Sequence, residues 1–182
     1  MVKVAAFIAG SIPFLYSSRA CLRLPGSHGF YRFFAWESIW GLFLLNVGGW
    51  FRNPFSPAQV VSWLLLCVSV FLALHALITL RRFGRSDHSR DDESLIGIEK
   101  TTRLVSQGIY RYIRHPLYSS LLWLAWGIFL KSPAWLAGVM GLAATGFVLA
   151  AARAEEVENL QFFGPSYREY MNQTKMFIPF LY

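Results

Sequence analysis

Little in this chain is charged: 15% of its 182 residues, against 55% that are hydrophobic. That balance excludes an ordinary soluble domain of this size, because the apolar residues come in blocks. Cysteine is scarce as well. Cys21 sits in a loop and Cys67 inside an apolar run, so neither a disulfide framework nor a metal site is expected. No Gly-x-Gly-x-x-Gly follows a strand-like segment, which excludes a Rossmann cofactor domain. Gly-x-Ser-x-Gly elbows, His-Glu-x-x-His pairs and phosphate loops are missing too. A net charge of +7 would suggest nucleic acid in a soluble protein. Here the basic residues lie between apolar segments, so the positive-inside rule explains them and no nucleic-acid partner is expected.

What is there is an all-α integral membrane protein of about five transmembrane helices. Apolar segments cover residues 4–18, 30–51, 58–80, 117–130 and 134–152. The first is short for a hydrocarbon core about 30 Å thick and is interrupted by Pro13. It reads as a span or a surface segment rather than a signal peptide. Residues 1–100 hold the N-terminal helices and a loop, and residues 101–182 the motif region, together one structural domain. Placing residues 81–114 in the cytoplasm puts 14 of the 17 basic residues on that side, with Lys3, Arg52 and Lys131 opposite. The expected localisation is therefore multi-pass, in a bacterial inner membrane or the endoplasmic reticulum, with the C-terminus inside. Asp91, Asp92 and Glu93 read as a solvated loop. The last two segments, joined by Lys131-Ser132-Pro133, are expected to form a tight antiparallel hairpin. Small residues at Ala134/Gly138 and Ala137/Gly141/Thr145 would let their backbones approach.

That hairpin would bring two polar clusters together at its cytoplasmic end. One is Gly108-Ile109-Tyr110-Arg111-Tyr112-Ile113-Arg114-His115-Pro116-Leu117-Tyr118. Proline suits the first turn of a helix, so His115-Pro116 reads as a helix mouth that favours an anion such as a carboxylate. An interfacial anchor of Arg and Tyr explains the same residues without chemistry. The other cluster is Arg153-Ala154-Glu155-Glu156. Arg153 and Glu156 share a helix face, and acidic residues at a helix C-terminus oppose its dipole and call for partners, Arg103, Arg111, Arg114 or a cationic ligand. Glu37 and His75 are ionisable groups within predicted spans and could line the same pocket. For His75 a pairing at the interface is the simpler account.

Residues 104–118, the Glu155-Glu156 pair and Phe163-Gly164-Pro165-Ser166-Tyr167-Arg168-Glu169-Tyr170 resemble the isoprenylcysteine carboxyl methyltransferase family, related to the membrane phospholipid methyltransferases. The resemblance covers roughly residues 101–179. It implies a cytoplasm-facing pocket for S-adenosylmethionine formed by Thr102, Arg103, Leu104, Val105, Tyr110, His115, Pro116, Leu117, Tyr118 and Glu155. It further implies that Arg153 holds the carboxylate of a lipid-like or prenylated acceptor; Glu37, from its place within a predicted span, is expected beside the substrate. A carboxylate acceptor needs no base, whereas an amine would need one such as Glu156. Three other readings stay open: phospholipid N-methylation, an NADPH-dependent sterol or enone reductase with a similar Arg-His-Pro-x-Tyr element, and a non-catalytic membrane scaffold.

Overall fold

The computed structural model describes residues 1–84, 102–179 and 181, and the regular structure among them is helical apart from one isolated β-bridge. The acidic run Asp91-Asp92-Glu93 lies outside the described residues. α1 (Val2–Ser18) continues through Pro13, which sits on its exposed side, where the sequence predicts an interruption. α2 (His28–Asn46) and α3 (Pro57–Phe83) start at serine caps. Ser27 Oγ accepts from the Phe30 amide at 3.2 Å and Ser56 Oγ from the Gln59 amide at 3.4 Å. α4 (Pro116–Phe129) and α6 (Pro165–Gln173), like α3, open on a proline whose missing N–H costs nothing there.

α5 (Trp135–Phe163) departs most from expectation. Its apolar stretch ends near Ala152, yet the helix runs on through the polar residues to Phe163, about 43 Å in all at 1.5 Å per residue. Gly164 then breaks it with φ 59° and ψ −132°, a backbone region that side-chain-bearing residues avoid. α6 turns back from that point.

α2 packs chiefly on α5, α3 on α4, and α1 on α2. α4 and α5, joined by residues 130–134, also touch. Gly138 and Gly141 face the rings of Phe129 and Trp126 there, so these two glycines seat aromatic side chains. α3 and α5 are long and apolar enough to cross a membrane, and α1 and α4 are shorter apolar helices. Only 28% of the most apolar window of α3 is buried. The buried side of α3 is instead its polar stripe: Ser62 Oγ donates to the Gly127 carbonyl at 2.6 Å and Ser69 Oγ to that of Ser120 at 2.8 Å. Leu66, Leu72 and Ala76 share that buried side, while Leu64, Phe71 and Leu74 face outward, a pattern of inward hydroxyls that suits helices packed in lipid.

Two ends of the bundle are tied differently. At one, Lys3 Nζ reaches the Leu45 carbonyl at 3.1 Å, and Gln59 Nε2 donates to the carbonyls of Gly49 and Lys131, each at 3.0 Å. At the other, the His28 amide and ring Nδ1 meet the Glu158 carboxylate at 3.1 and 2.5 Å. The long helix α5 thereby caps the start of α2, at the same end as His115.

Candidate active site

The site is built on one loop and the polar extension of α5. Gly108 takes φ +59°, and a Cβ there would lie 2.9 Å from Thr79 Oγ1 and 3.1 Å from His75 Cε1 on α3. Glycine is what lets the loop seat so closely. His75 therefore belongs to this seat, beside Thr79. The chain at Ile113 then meets Lys175 in one parallel bridge, and Pro116 starts α4. Pro116, Leu117 and Tyr118 line a cavity and present the positive end of the α4 dipole to it.

Of the residues expected to hold a ligand, Leu104, Val105, Tyr110, His115, Pro116, Leu117, Tyr118 and Glu155 line this one cavity. Thr102 and Arg103 do not, and Arg103 is exposed. Arg153 is exposed on α5 and outside the lining, because the inward face of that turn is taken by Ala152, Glu155, Glu156 and Asn159. Glu156 is buried and outside the lining, with Arg114 Nε donating to its Oε1 at 2.7 Å. The sharing of a face between Arg153 and Glu156 thus gives no pair: Glu156 takes Arg114, one of the partners foreseen for it. Glu37 lies elsewhere, its Oε2 accepting from Ser11 Oγ of α1 at 2.6 Å.

Leu80, Arg114, Asn159, Phe163, Tyr167 and Tyr170 complete the lining, although the sequence reading assigns none of them to the ligand pocket. Asn159 and Phe163 fall four and eight residues after Glu155, on the same helix face. Placing the helix C-terminus at the Glu155-Glu156 cluster, just ahead of them, hid them.

His115 is 4% exposed, its Nδ1 4.0 Å from Glu155 Oε1 and its Nε2 3.4 Å from Glu156 Oε1. Its ring lies beside those of Tyr118 and Phe177. Burial pushes the Tyr167 and Tyr170 phenols up, and the Glu155 charge adds to this at Tyr167. Both therefore stay protonated, and Tyr170 Oη donates to the Tyr110 carbonyl at 2.7 Å. No cluster of His, Cys, Asp and Glu suited to a metal occurs among the described residues. The cavity thus offers one carboxylate, a helix mouth suited to an anion with Arg114 and His115 beside it, and aliphatic and aromatic walls. A zwitterionic ligand with a flat ring fits that donor set.

Comparison with known proteins points the same way. A family model described as phospholipid methyltransferase matches residues 57–166. A methanethiol S-methyltransferase of Crocosphaera subtropica is 28% identical over 122 residues, 66% of this chain and 44% of its own. Methanethiol S-methyltransferase 2 of Bradyrhizobium diazoefficiens is 29% identical over 136 residues, 68% of this chain and 48% of its own. The protein-S-isoprenylcysteine O-methyltransferase of Dictyostelium discoideum is 36% identical over 80 residues, 42% of this chain and 32% of its own. The chain spans from 32% to 48% of the length of these relatives. No solved structure matches it. With most of its length inside the matched region, the chain belongs to the phospholipid methyltransferase family, the group of membrane methyltransferases to which the isoprenylcysteine enzymes are related.

Proposed function

We propose that the chain is a multi-pass membrane methyltransferase that takes its methyl group from S-adenosylmethionine in the cavity at the mouth of α4, on the cytoplasmic face. The observation that carries this reading is the meeting of the α4 helix mouth with Glu155 in a cavity walled by Leu104, Val105, Tyr110 and Phe163. The helix mouth would hold the cofactor's carboxylate, Glu155 its ammonium or ribose hydroxyls, and the apolar walls its adenine. When bound, the cofactor supplies a methyl group activated on a sulfonium. The chain's own residues bind and orient, which is where much of the rate of an in-line transfer arises. They also shield the reacting centre from water.

The acceptor we propose is an apolar thiol. An acceptor carboxylate calls for a cation beside the reacting centre. Arg153 faces away, and Arg114 is engaged by Glu156 and by the carbonyls of Met171 and Thr174. An amine calls for a base, and Glu156 is held by Arg114 while the two phenols stay protonated. A thiol can lose its proton to bulk water before it enters and react as the thiolate, which needs neither a cation nor a base in the cavity. Relatives named for methanethiol support this choice. The isoprenylcysteine carboxylate remains the second reading, favoured by the 36% identity over 80 residues.

The test is calorimetric binding of S-adenosylmethionine, S-adenosylhomocysteine and NADPH to the purified protein, followed by methyl transfer to an alkanethiol, a prenylcysteine and phosphatidylethanolamine. Micromolar binding of the two sulfur compounds with methylation of the thiol is expected. Binding of NADPH alone would move the protein to the reductases, and methylation of the prenylcysteine alone would establish the second reading.

A further inference from the structure

We propose that residues 174–177 are a strap that sets the cofactor end of the site, with Arg114 as its staple and Glu156 as the group that aims Arg114 and His115. This rests on the methyltransferase reading, and the strap itself lies beyond the region matched by the family model, which stops at residue 166. The strap pairs in parallel with the chain leading into α4. Lys175 N donates to the Tyr112 carbonyl at 3.0 Å, Arg114 N to that of Lys175 at 2.8 Å, and His115 N to that of Met176 at 3.1 Å. Ser119 Oγ of α4 adds a bond to the Phe177 carbonyl at 2.9 Å.

A bridge this short does not hold itself together, since even a complete two-stranded hairpin is marginal alone. What secures it is the Arg114 side chain. Its Nη1 donates to the Met171 carbonyl at 3.1 Å and also to that of Thr174, at the C-terminal end of α6. Those carbonyls lack helical partners and carry the negative end of the dipole, so a cation there is favourable. Its Nε is taken by Glu156 of α5 at 2.7 Å. One planar fork thereby joins α5, α6, the strap and the entry to α4. A lysine ammonium, a point charge with no fixed fork, cannot replace it.

The consequence falls on His115. Its backbone amide is held by the strap, and its ring lies between Glu156 and Phe177. Arg114 and Glu156 are therefore positioning residues. They act on the cavity through His115 and the first turn of α4.

The experiment uses the full chain in lipid nanodiscs. Hydrogen–deuterium exchange and S-adenosylhomocysteine affinity are measured for the parent, Arg114→Lys and Glu156→Gln. In Arg114→Lys the amides of Arg114, His115 and Lys175 should exchange at least about tenfold faster, as in local rather than global opening. Amides in the α2–α5 core around Ile39 and Ala144 should keep their protection. Affinity should fall about tenfold or more, the scale of a lost charged hydrogen bond. Glu156→Gln should fall less, because its amide oxygen can still accept from Arg114. Loss of core protection along with the strap would overturn the proposal in favour of a general structural role. So would unchanged affinity in a variant whose strap has opened. Parent protein that binds no S-adenosylhomocysteine would instead overturn the methyltransferase reading itself, and the strap's role with it.

Discussion

Glu155 and Glu156 are neighbours in sequence, but a helix turns them about 100° apart, and their surroundings differ accordingly. Glu155 lines the cavity, and Glu156 is buried against Arg114. Replacing Glu155 with glutamine should lower the affinity for S-adenosylmethionine about tenfold, the worth of one charged hydrogen bond. Arg153→Ala should change it less than about twofold, since surface charges contribute little. Calorimetry on both variants checks the pair, and a large loss in Arg153→Ala would return that residue to the acceptor site. Tyr170 gives a different handle. Its phenol is raised in the folded protein, so the stabilisation is fully present below its ordinary value of about 10 and is lost as pH climbs beyond it. Tyr170→Phe removes the bond to the Tyr110 carbonyl and should cost about 1 kcal/mol at neutral pH. Thermal unfolding should show the gap from the parent closing under alkaline conditions. The helix mouth at His115-Pro116 was legible because proline, histidine and the following apolar run leave few alternatives. Arg153 was not, because its direction depends on where α5 meets α2 and α4, and no spacing within α5 encodes that.

α3 shows how helix packing here inverts the rule for soluble proteins. Its buried positions include Gln59, Ser62, Ser69 and Thr79, while Leu64, Phe71, Leu74 and Ile78 are exposed. At its N-terminal end Lys131 is only 3% exposed, with Nζ 3.1 Å from Gln59 Oε1 and 3.5 Å from the centre of the Trp63 ring. Gln59→Leu strands that ammonium and two carbonyls and should cost about 2–3 kcal/mol, the penalty for leaving buried polar groups unpaired. Lys131→Met in the same background removes the stranded charge. The double variant should therefore recover part of the loss, as when both partners of a buried polar pair are replaced. Thermal midpoints of the single and double variants in one detergent would show it, and strict additivity would contradict it. The apolar content of α3 was plain in the sequence, and so was its length. The polar stripe was present at helical spacing too, yet what it binds depends on the carbonyls of Gly127 and Ser120, supplied by a helix some 60 residues away. The polar end of α5 was the larger miss. Hydrophobic periodicity marks where a helix faces lipid or core, and it falls silent where a helix continues into water.

Taken whole, the molecule has one end with Lys3 and Lys131 and another with His28, His115 and Glu158, and an apolar belt between them. Cys67 sits on the exposed face of α3 within that belt, whereas Cys21 is buried. In a soluble protein an exposed thiol would react at once with a charged maleimide. In native membranes Cys67 is expected to stay unlabelled, because lipid excludes the reagent and disfavours the thiolate it needs. Denaturation should then expose both thiols. Sidedness follows from the same chemistry once both cysteines are replaced by serine. By the positive-inside rule, a 14-to-3 division of the basic residues predicts residues 153–175 on the cytoplasmic side. A cysteine placed by Lys175→Cys should therefore react only in inverted vesicles, and one placed by Lys3→Cys only in right-side-out vesicles. Labelling of both from one side would mean that α1 lies along the surface, leaving four spans. Labelling of the Lys175→Cys protein in right-side-out vesicles would turn the whole molecule over. His115 and its cavity would then face away from the cytoplasm, where S-adenosylmethionine is made, and the methyl-transfer reading would lose its donor.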